Sequence, residues 1–183
     1  MNKSEKTKTK IFDEAKKLFW NYGYSNVSVR QIANAAKVDA ALISRYYDSK
    51  LGLFEATLIY AFDWGDSIDI NDENIIEMFV GFLLESMDLK DETTIVKMIT
   101  MNASDPVVGD LVKSLSQKKM RNSILKRLKK ITPLQYDLMT ASLIGISQSR
   151  KTLKAPSLIS LKKVQYEKVL KHILKAAISF KHK

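Results

Sequence analysis

The chain has 183 residues, no cysteine and a formal net charge of +10. That length buries a genuine core without staples, and the missing thiols exclude a disulfide framework, a thiolate zinc site and a cysteine nucleophile. The longest apolar run, about Met78 to Leu84, is far short of the roughly 20 residues a membrane-spanning helix needs, and the lysine-rich start from Met1 to Lys10 lacks the apolar stretch of a signal peptide. The expectation is a soluble cytoplasmic protein with no membrane partner, in which the Asn-x-Ser triplets at Asn26 and Asn102 are chance matches.

The charge is unevenly spread, at +4 over residues 1–60, −10 over 61–110 and +16 over 111–183. The acidic middle and basic end either pair, within the fold or across a dimer, or leave the basic end as a second anion-binding surface.

Prolines stand only at 106, 133 and 156, and no segment alternates as a strand would, so the chain reads as all-α with about nine helices. The first helix is predicted over Lys3 to Tyr22, with Ile11, Ala15, Leu18 and Phe19 on one face and Gly23 ending it. Ser28 caps a short helix through Ala36, Asp39 caps another through Tyr47, and Ser49 caps a longer one to about Trp64. Further helices are expected over Asp72 to Met87, Asp91 to Ala103, Pro106 to Lys129, Pro133 to about Lys151 and Ser160 to Phe180, with prolines well placed at two of those starts. The change from short helices to long ones divides a three-helix head, residues 1–50, from a helical body, residues 51–183.

Residues 28–47, SVRQIANAAKVDAALISRYY, have the size and pattern of a helix-turn-helix. Val29, Ile32, Ala33 and Ala36 share one apolar face, and Ile43 and Tyr47 share another, with Val38 between them. Turning Ile43 and Tyr47 inward points Ala41 and Arg45 outward, flanked by Leu42 and Ser44, with Ala40 at the exposed amino-terminal end. Such a face suits a major groove: arginine bonds guanine bidentately, serine bonds several base edges, and alanine or leucine methyls meet the thymine methyl.

The order Tyr22-Gly23-Tyr24, Ser28-Val29-Arg30-Gln31-Ile32-Ala33, Ala36-Lys37-Val38, Ala41-Leu42-Ile43, Arg45-Tyr46-Tyr47 and Ser49-Lys50, followed by Leu53-Phe54, resembles the tetracycline-repressor (TetR) family over about fifty contiguous residues. Two positions depart from it. Lys37 replaces the usual turn glycine, so the turn takes a left-handed lysine or opens slightly, and Ser44 replaces a common tyrosine. The resemblance implies phosphate contacts from Ser28, Arg30, Tyr46 and Lys50, with Arg45 as the foremost base reader. Plain capping also accounts for Ser28 and Ser49, and a core-edge position for Tyr46. Lysines 3, 6, 8 and 10 are either a solvated tail or phosphate and minor-groove contacts.

For the body the resemblance implies an effector pocket and a dimer interface. Phe62, Trp64, Met78, Phe79, Phe82, Met98, Met101 and Met120 are candidate lining for an apolar pocket, with ordinary core as the alternative. Ala141 to Leu153 resembles the family's eighth helix. Leu138, Ala141, Ser142, Gly145 and Ser149, with Leu143 and Ile146, supply one candidate dimer face there. Tyr166, Val169, Leu170, Ile173, Leu174 and Ala177 supply a second on the last helix, again with intrachain core as the alternative. The implied function is a homodimeric transcription regulator, a repressor released from a palindromic DNA operator by a small-molecule effector of unknown identity.

No phosphate loop, nucleophile elbow or His-Glu-x-x-His pattern supports an enzyme, His172 and His182 sit in the basic last helix or at its end, and no cofactor or metal is expected. The competing reading is a basic helical interaction or membrane-surface protein without sequence-specific DNA binding.

Overall fold

The computed structural model describes residues 2–63, 69–88 and 94–181, with the side chains of 86 and 88 omitted, and all regular structure among them is helical. The helices are α1 (Lys3–Tyr22), α2 (Val29–Ala36), α3 (Ala41–Tyr47), α4 (Lys50–Phe62), α5 (Ile75–Asp88), α6 (Ile95–Asn102), α7 (Gly109–Leu115), α8 (Asn122–Leu125), α9 (Pro133–Lys151), α10 (Pro156–Ile159) and α11 (Lys163–Ser179), with a π-helical turn at Ser116–Arg121 between α7 and α8. Among the described residues no helix is long and apolar enough to cross a membrane.

Two compact units form, and neither is continuous in sequence. One comprises Met1–Ser67 and Glu92–Met120, the other Ile68–Asp91 and Arg121–Lys183. The division expected between residues 50 and 51 therefore does not match the packing. Leu53, Phe54 and Leu58 of α4 are buried with Ile11, Ala15 and Phe19 of α1, Ile32 of α2 and Ile43 of α3, so α4 shares the head's core. Met98 of α6 and Val108 and Val112 at α7 complete the same core.

In the second unit α11 packs on α9 and α5, and α10 packs on α9. Tyr136, Met139, Leu143, Tyr166, Leu170 and Leu174 are buried within this chain. α9 begins where expected because Thr132 and Gln135 form a capping box ahead of Pro133. α5 begins later than expected, at Ile75, after a turn in which Asn71 Oδ1 accepts Glu73 and Asn74 N–H (both 3.0 Å). The carboxylate of Asp72, within that turn, accepts the backbone N–H groups of Lys129 (2.9 Å), Lys130 (3.0 Å) and Ile131 (3.2 Å). Burial raises the Asp72 pKa, but these bonds and the Lys130 charge outweigh that and hold it below the usual carboxylate value. With the ion pairs Lys130–Glu73 and Lys171–Glu77, they join the acidic middle to the basic end inside one unit.

The single helix expected over Pro106 to Lys129 is instead α7, the π turn and α8. Its start is delayed because Asp105 Oδ1 accepts from Val107 and Val108 N–H, closing a turn over Pro106. The helix expected from Ser160 starts at Lys163, and the separate turn of α10 precedes it.

Candidate nucleic-acid interface

The helix-turn-helix is assembled from local signals. Ser28 is extended, its Oγ accepts Gln31 N–H (3.2 Å), and Gln31 Oε1 accepts Ser28 N–H (2.7 Å), a reciprocal cap that starts α2. α2 ends at Lys37, whose φ of 54° and ψ of 50° are left-handed. Lys37 N–H donates to Asn34 O and Val38 N–H to Ala33 O, the paired bonds of a Schellman motif. The turn thus keeps its glycine geometry with a lysine in place. Lys37→Gly is expected to raise stability by about 0.5–1 kcal/mol, because a left-handed L-residue costs about 1–2 kcal/mol and glycine's extra chain entropy offsets only part of that. Thermal unfolding checks it, and a fall in Tm would show that the lysine makes a compensating contact.

Asp39 Oδ1 accepts Ala41 N–H at 2.7 Å and starts α3. Ile32 and Ala36 of α2 and Ile43 of α3 are fully buried, with Val38 and Leu42 packed against that core. The opposite side of α3 presents Ala41, Ser44 and Arg45 to solvent, with Ala40, Leu42 and Tyr46 half-buried at its margins. Ser28 and Arg30 are exposed at the amino-terminal end of α2, and Lys50 is half-buried at the first residue of α4.

Two tyrosines pin α3 to α1. Tyr46 OH shares a 2.9 Å hydrogen bond with Ser4 Oγ, and Tyr47 OH donates to Lys8 O at 3.0 Å. Burial first, and the Asp13 charge second, push the Tyr47 hydroxyl up to about 12, so it stays a donor. Tyr46 is therefore both a core-edge residue and reachable from outside. Between α3 and α4, Ser49 Oγ accepts Gly52 N–H (3.0 Å), and a Cβ at Gly52 would overlap the Tyr47 carbonyl oxygen. That contact is with backbone, so only glycine lets α4 leave the recognition helix at this angle.

The turn that leads into α2 is held by residues that sequence reasoning did not single out. Asn102, fully buried at the end of α6, accepts Tyr24 N–H at 2.7 Å and donates to Met98 O (2.8 Å) and Phe19 O (3.3 Å). Three residues on, Asp105 accepts Ser25 N–H at 3.2 Å. Burial raises the Asp105 pKa, but hydrogen bonds from Ser25, Val107 and Val108 together hold it low. The Lys50 ammonium lies 4.0 Å from the Tyr24 ring centroid. Burial lowers its pKa, and the nearby Asp105 partly opposes that. No local pattern announces the bonds of Asn102 to Tyr24 or of Asp105 to Ser25, because those partners lie about 80 residues away.

Residues 11–57 match the family model described as "Bacterial regulatory proteins, tetR family". The head is thus tetR-like in sequence over that segment. A stretch of 49 residues is 49% identical to a probable HTH-type transcriptional regulator, YttP, of Bacillus subtilis, and spans 27% of this chain and 24% of that protein. The tetR fold extends beyond the head. The hemolysin II transcriptional regulator HlyIIR superimposes with a TM-score of 0.63 at 16% identity, over 97% of this chain and 99% of that one. A tetR-family transcriptional regulator from Streptomyces coelicolor gives 0.63 at 18% identity, over 97% and 82%. At these identities the likeness is one of fold.

The tetR-type body rearranges the candidates for its other sites. Phe62 and Met98 are core residues of the first unit, Met120 packs at that core's edge and Met101 is exposed. Met78, Phe79 and Phe82 belong to the second unit, half-buried, buried and exposed in turn, while Trp64 and His182 lie outside the described residues. These residues are thus not gathered within one unit. Of the expected dimer face on α11, Tyr166, Leu170 and Leu174 are at most 2% exposed within a single chain. They pack into their own unit, with Val169, Ile173 and Ala177 half-buried beside them. On α9 the pattern is the reverse. Ala141 and Gly145 are exposed, Leu138, Ser142 and Ser149 are half-buried, and Leu143 and Ile146 face the core. A Cβ at Gly145 would meet nothing within 4 Å.

Proposed function

We propose that this chain is a homodimeric, sequence-specific DNA-binding regulator that represses from a palindromic operator and is released by a small-molecule effector. Its chief support is the outward side of α3, where Ala41 and Arg45 are solvent-exposed opposite the fully buried Ile43, with Ser44 exposed on the flank. Arg45 reads a base edge, flanked by Ala40, Ala41, Leu42 and Ser44. Ser28, Arg30, Tyr46 and Lys50 hold phosphates, helped by the amino-terminal amides of α2 and α4. Two such faces held about 34 to 36 Å apart by the α9 surfaces engage successive major grooves. An effector acts through its differential affinity for operator-competent and incompetent spacings. The Tyr136 hydroxyl, buried beside Phe79 and without a hydrogen-bond partner among the described residues, is a group such an effector can satisfy. His172, exposed on α11, has no catalytic role in this reading.

Genome-wide footprinting with the full chain is expected to reveal at least one protected palindrome, and absence of any protected site overturns the proposal. On that site Arg45→Ala is expected to cost about 1–3 kcal/mol and to relax preference at one base position per half-site. Lys50→Ala weakens all sequences alike and reduces the slope of log affinity against log salt by about one per subunit. Unchanged base preference in the first variant or an unchanged slope in the second removes that residue from its assigned role.

A further inference from the structure

One of the basic stretches of the second unit lies at one end of the α9–α11 hairpin. Residues 138–166 contain no aspartate or glutamate and five arginines or lysines. α9 and α11 run antiparallel, since Gln135 at the start of α9 donates to Phe180 O just beyond the end of α11. At the other end the Arg150 guanidinium stacks over the Tyr166 ring, 4.7 Å from its centroid, and donates to Leu158 O of α10. One arginine thus gathers the end of α9, the turn of α10 and the start of α11.

That end also exposes aliphatic side chains that the fold does not use. Leu153 is 74% exposed, Val164 63% and Ile159 46%. Interleaved with them are the exposed lysines Lys154, Lys162 and Lys163. Single exposed aliphatics are ordinary, but three within twelve residues, at one end of a bundle and without an acidic neighbour in sequence, form a patch that is apolar and cationic at once. Its chemistry selects among polyanions. A DNA backbone gains from the lysines and nothing from Leu153 or Val164. A lipid surface accepts both, since side chains protruding from a turn enter the headgroup boundary while the lysines meet anionic headgroups, and no complementary pocket is required.

We infer that the α9–α11 connection, centred on Leu153, Ile159 and Val164 with Lys154 and Lys162, is a peripheral docking surface for anionic phospholipid bilayers. This contact lies in the plane of the interface and needs no spanning helix. The lysines spread around α11 do not form it; the turn before α11 does.

The test is co-sedimentation of the full chain with vesicles of phosphatidylcholine alone or mixed with phosphatidylglycerol, in the absence of DNA. Retention is expected only on the mixed vesicles, falling as salt rises. Leu153→Asn with Val164→Asn is expected to release the protein even at low salt, and Lys154→Gln with Lys162→Gln to weaken retention about thirtyfold. Arg45→Ala with Lys50→Ala leaves it unchanged, because those charges sit on the head. Absence of retention on mixed vesicles overturns the inference. So does retention untouched by the two aliphatic changes, which would reduce the effect to general attraction of a basic protein. Operator protection by the aliphatic variant, measured separately, is expected to be normal, so failure here is distinguishable from failure of DNA binding.

Discussion

Asn102→Ala is expected to destabilise the chain by about 3 kcal/mol, read from the urea midpoint at constant m-value. The side chain is fully buried, accepts from Tyr24 N–H at 2.7 Å and donates to carbonyls of α6 and α1. Met98 O and Phe19 O lie where helix carbonyls retain other partners, and Phe19 O still accepts Gly23 N–H. Tyr24 N–H has no such substitute. A buried donor left unpaired costs about 1–3 kcal/mol, and the lost packing of the amide adds to that. Asn102→Asp separates the two halves of the role. It keeps the oxygen facing Tyr24 but turns an acceptor toward two carbonyls, so its folded pKa should lie above the unfolded value. Its stability deficit therefore shrinks as pH falls through that raised pKa, when the protonated oxygen donates again. An alanine variant within about 1 kcal/mol of the parent would mean that the turn is held by Asp105 and Ser25 instead.

The same loss should reach DNA binding indirectly. Tyr24 belongs to the turn just ahead of Ser28, and its ring carries the Lys50 ammonium. A loosened turn displaces the α2 cap and Lys50 together, so binding weakens on every sequence while the preference set by Arg45 on α3 persists. Asn102 acts through these groups and is a positioning residue for them.

Much of the head is legible in sequence because its signals are local. Ser28 and Gln31, Asp39 and Ala41, and Ser49 and Gly52 are each two or three residues apart, and each bond is made. The orientation of α3 also follows from spacing alone, since burying Ile43 fixes where Arg45 points. Lys37 in a glycine position defines the alternatives of a left-handed lysine or an open turn, and its left-handed φ resolves them. Long-range partners are what the sequence hides. Asp72, in the turn ahead of α5, accepts from Lys129, Lys130 and Ile131, nearly 60 residues on. Periodicity on α11 marks Tyr166, Leu170 and Leu174 as a buried face but carries no information on whether the covering surface belongs to the same chain. α10, a single turn after Pro156, is too short to show a period at all.

Gly145→Glu separates folding from assembly. Within one chain the position is exposed and a Cβ meets nothing within 4 Å, so the substitution creates no internal clash. Replacing a mid-helix glycine with a better helix former should raise the stability of the isolated chain by about 0.5–1 kcal/mol. At an α9–α9 contact the same change inserts a bulky carboxylate where small Ala141 and Ser142 otherwise permit close approach, and it does so twice by symmetry. Two desolvated, unpaired charges cost more than an ordinary dimer can absorb. The expected result is a monomer in sedimentation equilibrium with undiminished helix content. Protection of a palindromic site then falls by about 100-fold or more, because each half-site must be bound without its tethered neighbour, while single half-site affinity stays near the parent value. A dimer that survives the substitution would move the interface off the exposed side of α9. On α11 only the half-buried Val169, Ile173 and Ala177 would be left to replace it, because Tyr166, Leu170 and Leu174 are consumed by the chain's own core.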